Sequence, residues 1–295
     1  MIEYSEGISG TLLITGSAGF IGSNLIPMTK GAQVLEIAHS WTSKNELRNL
    51  ISGHKIDSCI HLGWYASAPD YLYSEENNRQ SYERSLELVE LLLEQECTHL
   101  TAVGSGAEYS QKSSFLVEGD PTSDDLPYFH YKGLLREHLL SLNSKGGLKS
   151  AWCRIFNVIG PKEHQERLIP TIIDRLIDNQ PIDLSAGTQI RDYLHVDDVA
   201  RAIISVSTKQ LSGIYNICSG EPVEMRTLWK DIATDLDGLD LLNIGFREPD
   251  KYDPPFRIGS NAKLCADTSW RRQINYTEMI RDTVSYWTSK LSKGN

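Results

Sequence analysis

The stretch "LLITGSAGFIGSNL", beginning at Leu12, constrains this chain more than any other part of it. "TLLIT" has the length and apolar run of a buried strand, and "FIGSNLI" opens a helix directly after it. Gly16, Gly19 and Gly22 stand three apart between and within them. Gly16 permits a tight turn, Gly19 lets the backbone approach a pyrophosphate, and Gly22 lets the helix lie close to the strand. The helix N-terminus then offers free N–H groups and a partial positive charge to phosphate oxygens. A glycine trio alone is compatible with a purely structural turn, so the elements around it decide its weight.

Those elements alternate. "TLLIT", "QVLEIA", "DSCIHL", "HLTAVGS", "KSAWCRIF" and "GIYNIC" read as strands, with "LELVELLLEQE" and "YKGLLREHLLSL" as helices between them. Strands alternating with helices imply an α/β fold, a doubly wound parallel sheet covered on both faces, with ligands at the carboxyl ends of the strands. After residue 160 the pattern loosens, with Pro161, Pro170, Pro181, Pro222, Pro249, Pro254 and Pro255. The expected organisation is a dinucleotide-binding unit over 1–160 and 188–220, returning to the sheet at "RDYLHVDDVARAI" and "GIYNIC". A smaller, mostly C-terminal substrate-binding region covers 161–187 and 221–295.

Composition narrows the partners. With 295 residues and a formal charge of −10, the chain offers no broad basic footprint for nucleic acid or an anionic membrane. No apolar run approaches the roughly 18 residues that span a bilayer, and "MIEYSEGISG" lacks the pattern of a secretory signal. Cys59, Cys97, Cys153, Cys218 and Cys265 are scattered singly, without disulfide or zinc spacing. No metal site is expected, and the setting expected is reducing and cytoplasmic.

The second strand bears on the coenzyme. An NAD site ordinarily carries Asp or Glu at the end of this strand, accepting from the ribose 2′-hydroxyl. Here the strand ends Ala38-His39-Ser40, with Glu36 too early. A missing carboxylate removes repulsion against a 2′-phosphate, which Ser40, Lys44 or Arg48 could contact. NADP is expected, with NAD the second choice.

Tyr128 and Lys132 lie one helical turn apart, on one face. A neighbouring ammonium favours the phenolate, so the pair is expected to trade protons near neutrality. Tyr286 and Lys290 repeat the spacing but come after every strand and read as an exposed helical face. Ser105 ends the strand before Tyr128, where its hydroxyl can steady a substrate carbonyl.

On these residues, the chain resembles the extended short-chain dehydrogenase/reductases, the NAD(P)-dependent sugar epimerase/dehydratase family, nearly end to end. "TGSAGFIGSNL" is similar to its glycine turn, "DSCIHLGWYA" to its third strand, and "GSGAEYS" to the active-site Ser/Thr segment. "PYFHYKGLLRE" matches the Tyr/Lys helix, and "CRIFNVIGP", "RDYLHVDDVARAI" and "GIYNICSG" match later segments in order. The resemblance implies a Rossmann fold in which Ser105, Tyr128 and Lys132 are catalytic. Coenzyme contact is implied for Gly16, Gly19, Phe20, Ile21, Gly22, His39, Ser40, Leu62, Gly63, Tyr128 and Lys132. Substrate contact is implied for Ser105, Asn157 and Arg191, the last two toward a nucleotide-sugar diphosphate; it is expected also for Trp64, which with Tyr65 replaces the family's usual small residues and narrows the site. Asp192, Asp197, Asp198 and His195 read as structural, Arg191 alternatively as an internal ion pair with Asp192, and Arg167 as a surface residue or, alternatively, a contact to substrate phosphate. The leucine-rich helices around 80–95 and 128–142 suggest a homodimer by the same likeness.

Departures from the family select among reactions. Dehydratases of this kind place Asp-Glu after the active-site Thr, where this chain has Gly106 and Ala107. Epimerase-reductases that invert two carbons use a Cys where Ala107 stands. Sugar-acid decarboxylases need a Glu in this loop, and Glu108 leaves that open. Reduction of a nucleotide-linked 4-keto-6-deoxy sugar needs only a hydride and a proton, and is the reading favoured. A 4-epimerase with retained NAD and a non-catalytic NADP-binding sensor are the alternatives.

Overall fold

The computed structural model describes residue 8 and residues 10–67, 70–110, 115–248 and 253–291. In chain order, its first half runs β1 (Thr11–Thr15), α1 (Phe20–Leu25), β2 (Gln33–Ile37), α2 (Lys44–Leu50), β3 (Ser58–His61), α3 (Glu75–Glu94), β4 (His99–Ser105), α4 (Pro127–Lys145) and β5 (Lys149–Ile155). The second half runs β6 (Asn157–Ile159), α5 (Leu168–Ile177), β7 (Ile182–Leu184), β8 (Ile190–His195), α6 (Val196–Thr208), β9 (Gly213–Ile217), β10 (Pro222–Glu224), α7 (Met225–Asp235), β11 (Leu242–Ile244), β12 (Phe256–Arg257), α8 (Ala262–Thr268) and α9 (Tyr276–Leu291).

The six strands read from the sequence form one parallel sheet in the order β2-β1-β3-β4-β5-β9. Their apolar runs follow from burial on both faces. On one face Leu12, Ile14 and Ile60 pack with Val199 and Ile203 of α6. On the other, Leu13, Cys59 and Leu100 pack with Leu88, Leu92, Leu135 and Leu139 of α3 and α4. The leucines that suggested a second contact face on these helices are therefore largely taken up by the core, while Leu93 stays exposed.

The expected boundary of the second region needs correction at one strand. α6 and β9 join the large sheet's unit, but β8 does not enter that sheet; it lies between β10 and β12 and also pairs with β6. The cause is local. Ile155 pairs with Ile217 at the sheet edge, Phe156 N donates to Ile217 O, and the chain then turns away, so that Asn157 sits opposite Tyr193. A separate apolar cluster around Ile172, Trp229 and Trp287 holds α5, α7 and α9 together. Cys59, Cys97, Cys153 and Cys218 are buried. Among the described residues, no helix is long and apolar enough to cross a membrane.

Candidate active site

A cavity of about 1120 Å³ opens at the carboxyl ends of the large sheet. β1 turns toward β2 on one side while β3 begins the other half, so the strand order reverses at this point. Gly16, Gly19, Phe20, Ile21, Gly22, His39, Ser40, Leu62 and Gly63 all line the cavity. Gly16 has φ +70°, and a Cβ on it would lie 2.8 Å from Gly63 N. A Cβ on Gly22 would lie 2.4 Å from Gly16 O, so α1 can approach the turn only as glycine.

Pro127 occupies the first helical position of α4, where a missing N–H costs nothing. The Tyr128 N–H donates to Leu72 O at 3.3 Å, tying the start of α4 to the loop before α3. Tyr128 and Ser105 both line the cavity, and the Ser105 side chain offsets part of the effect of burial on the Tyr128 phenol. Tyr71 sets its ring edge-on against Tyr128, with centroids 5.3 Å apart.

The electrostatics differ from the sequence expectation. Burial, with help from Tyr71 and Glu108, raises the Tyr128 phenol above its ordinary value rather than acidifying it. Lys132 is itself only 5% exposed, and burial lowers its ammonium from 10.5 to about 7. Its Nζ donates to Val103 O at 2.6 Å and lies 4.2 Å from the centroid of the Trp64 indole. In the ligand-free chain the pair is thus a protonated phenol beside an amine that is only partly charged at neutrality. Trp64 is fixed in turn by donation from Nε1 to Asn78 Oδ1 at 2.8 Å.

Glu108 does not face the cavity. Its carboxylate is wholly buried behind Ser105, accepting from Ser105 N at 2.6 Å, Arg136 Nη1 at 3.0 Å and Trp152 Nε1 at 3.2 Å. Arg154 Nε lies 3.4 Å away. Its role in the geometry is to hold the turn that presents Ser105, which closes the acid/base option left open for that loop.

The end of β2 also needs correction. Lys44 is bonded to Glu90 and Glu94, and Arg48 to Glu94, so both are occupied on the α2–α3 surface. On α3, Arg84 does line the cavity, and its Nη1 is buried without a hydrogen-bond partner among the described residues. Asn77, Gln80, Ser81 and Arg84 form a polar stripe along the cavity. Their i, i+3, i+4, i+7 spacing was the available signal.

The opposite wall comes from the smaller region. Asn157 lines the cavity and donates from Nδ2 to Asp192 O at 3.0 Å. Arg191 also lines it, but pairs with Asp253 and donates to Pro254 O at 2.6 Å; its ion pair is not with Asp192. The Asp192 carboxylate instead accepts from Ser219 N at 2.7 Å, Gly220 N at 2.9 Å and Gly259 N at 3.3 Å, which fixes the loop after β9. Arg257, missed in the sequence, joins this wall beside Arg191. Arg167 is not a plain surface residue: it lines the cavity, lies 4.6 Å over the Tyr71 ring and donates to Ala66 O at 2.8 Å. His195 is buried and hydrogen-bonded to Asp282 at 2.9 Å, and Asp198 accepts from Gln273 N and Ile274 N. Lys290 lies over Trp287, and neither it nor Tyr286 lines the cavity. Among the described residues no cluster of His, Cys, Asp or Glu is arranged to hold a metal ion.

The NAD dependent epimerase/dehydratase family matches residues 12–218, a span that contains the glycine turn, Ser105, Tyr128, Lys132 and Arg191. The chain belongs to that family. It is accordingly an NAD(P)-dependent oxidoreductase of the extended short-chain type. It is 24% identical over 301 residues to a dTDP-4-dehydro-6-deoxyglucose reductase of Escherichia coli, covering 89% of this chain and 93% of that protein. Its fold superimposes with a TM-score of 0.86 on RMD from Pseudomonas aeruginosa, solved with NADPH, at 22% identity over 95% of this chain and 99% of that one. A UDP-glucose 4-epimerase of Thermus thermophilus, solved with NAD, gives 0.84 at 22% identity over 94% and 99%.

Proposed function

We propose that the protein reduces a nucleotide-linked 4-keto-6-deoxy sugar with NADPH. In this reading the glycine turn of α1 receives the pyrophosphate, and His39, Ser40, Leu62 and Gly63 flank the coenzyme. The nicotinamide supplies hydride to the keto carbon. Tyr128 supplies the proton to the oxygen, Ser105 holds that oxygen, and Lys132 sits beneath both. Asn157, Arg191 and Trp64 face the nucleotide sugar, with residues 161–187 and 221–295 forming most of its wall.

One observation carries this reading. The cavity holds Tyr128 together with Ser105, the phenol is kept protonated by burial, and Glu108 is turned inward away from it. A protonated phenol is ready to act as general acid in reduction, whereas an epimerase needs it first as a base. NADP is favoured by the absence of a carboxylate at the end of β2 and by Arg84 Nη1, which lacks a partner among the described residues and suits a 2′-phosphate. The fold likeness to a UDP-glucose 4-epimerase supports a second reading, oxidation and re-reduction at C4 with retained NAD.

Incubation with NADPH and dTDP-4-keto-6-deoxyglucose, monitored by nicotinamide absorbance, separates them. Stoichiometric loss of NADPH with formation of a 6-deoxyhexose supports reduction. Conversion of UDP-glucose without net change in coenzyme supports epimerisation. Coenzyme binding with neither reaction leaves the sensor. Arg84→Leu is expected to weaken NADPH binding about tenfold or more while leaving NADH little changed.

A further inference from the structure

The turn between β6 and α5 carries a carboxylate that nothing in the mechanism uses. Glu163 lines the same cavity as Tyr128, yet its Oε2 is closed to bulk solvent and takes no hydrogen bond from any described residue. Burial pushes the carboxyl up to about 8, with Arg167 opposing the rise. A buried carboxyl oxygen without a donor is an unusual arrangement, because it is a strong acceptor that normally finds a partner.

The turn around it is built rather than loose. Asn24 Nδ2 of α1 donates to Pro161 O at 3.0 Å, and Lys162 Nζ donates to Ser23 O at 2.8 Å. Arg167, at the far end, donates to Ala66 O and stacks on Tyr71, which in turn meets the Tyr128 ring. Glu163 and Arg167 are electrostatically coupled to each other, and Arg167 to Tyr128. An acceptor and a donor fork thus line the cavity that holds Tyr128, on a turn braced by α1.

We propose that Glu163 and Arg167 form a subsite for the hydroxyl groups of a neutral pyranose, with Glu163 accepting from a ring hydroxyl while Arg167 donates to a neighbouring ring oxygen. The inference rests on the nucleotide-sugar reading and adds to it two residues that would recognise the sugar itself.

The test is calorimetric, with the NADPH-bound protein. UDP-glucose, dTDP-glucose and GDP-mannose are each titrated against the matching nucleoside diphosphate. The wild type is expected to bind at least one neutral sugar nucleotide about tenfold more tightly than its diphosphate. Glu163→Leu is expected to abolish that increment without changing diphosphate affinity. Glu163→Gln, which keeps an acceptor, is expected to retain part of the increment. An unchanged sugar increment in Glu163→Leu overturns the subsite and leaves the nucleotide-sugar reading standing. A wild type that gains nothing from any sugar over its diphosphate overturns that reading, and this inference with it.

Discussion

Lys132 places a testable strain on the ligand-free protein. In the unfolded chain its ammonium titrates at an ordinary 10.5, whereas in the fold it is lowered to about 7 by burial. The buried Glu108 carboxylate opposes part of that fall. At about 1.36 kcal/mol per pH unit, the fall corresponds to about 5 kcal/mol of differential interaction. Between the two values the unfolded chain holds about one more proton than the folded one. Stability therefore rises with pH across that window, reaching its full extent only as pH approaches 10.5. From pH 7.5 to 9.5 the gain from Lys132 alone is about 2.5 kcal/mol. Lys132→Met, which keeps the stem and removes the charge, lacks this contribution. Urea unfolding of both proteins across this range, without coenzyme, isolates the lysine from every other titrating group. The difference in unfolding free energy should shift toward the wild type by about 2.5 kcal/mol. Parallel curves, or a shift in the opposite direction, would refute the argument that this amine is held in a site hostile to its charge.

Tyr128→Phe is expected to lower turnover by about 10²- to 10⁴-fold while coenzyme affinity, measured by fluorescence quenching, stays near wild type. Glu108→Gln leaves Arg136 and Arg154 buried against an amide in place of their carboxylate. A loss of about 3–5 kcal/mol is expected, read as a lowered melting temperature, and a wild-type melting curve would show that the cluster is not coupled as its distances indicate. Gly22→Ala drives a methyl into Gly16 O and Ser17 O, so loss of NAD(P) binding should accompany any destabilisation seen by calorimetry.

The large sheet was legible because a strand buried on both faces must be apolar along its whole length, and "TLLIT", "DSCIHL" and "KSAWCRIF" are. The Tyr128–Lys132 pair and the glycine turn were legible because helical periodicity and backbone approach leave marks at fixed short spacing. β8 was misplaced because "RDYLHV" reads equally well in either sheet; which edge it joins depends on the turn at Phe156, a property of three dimensions. The phenol's protonation was misjudged for a similar reason. Sequence spacing reveals the nearby lysine but not the desolvation that lowers its charge and raises the tyrosine. Arg84, Arg257 and Glu163 reach the cavity from elements far apart in the chain, and only the fold brings them together.

The Asn24 and Lys162 hydrogen bonds stitch the helix behind the glycine turn to the loop that carries Glu163. Whatever steadies one end of that seam steadies the other. If coenzyme settles on that helix and sugar against Glu163, as proposed, the two are expected to bind cooperatively across the seam, with the same coupling measured from either side.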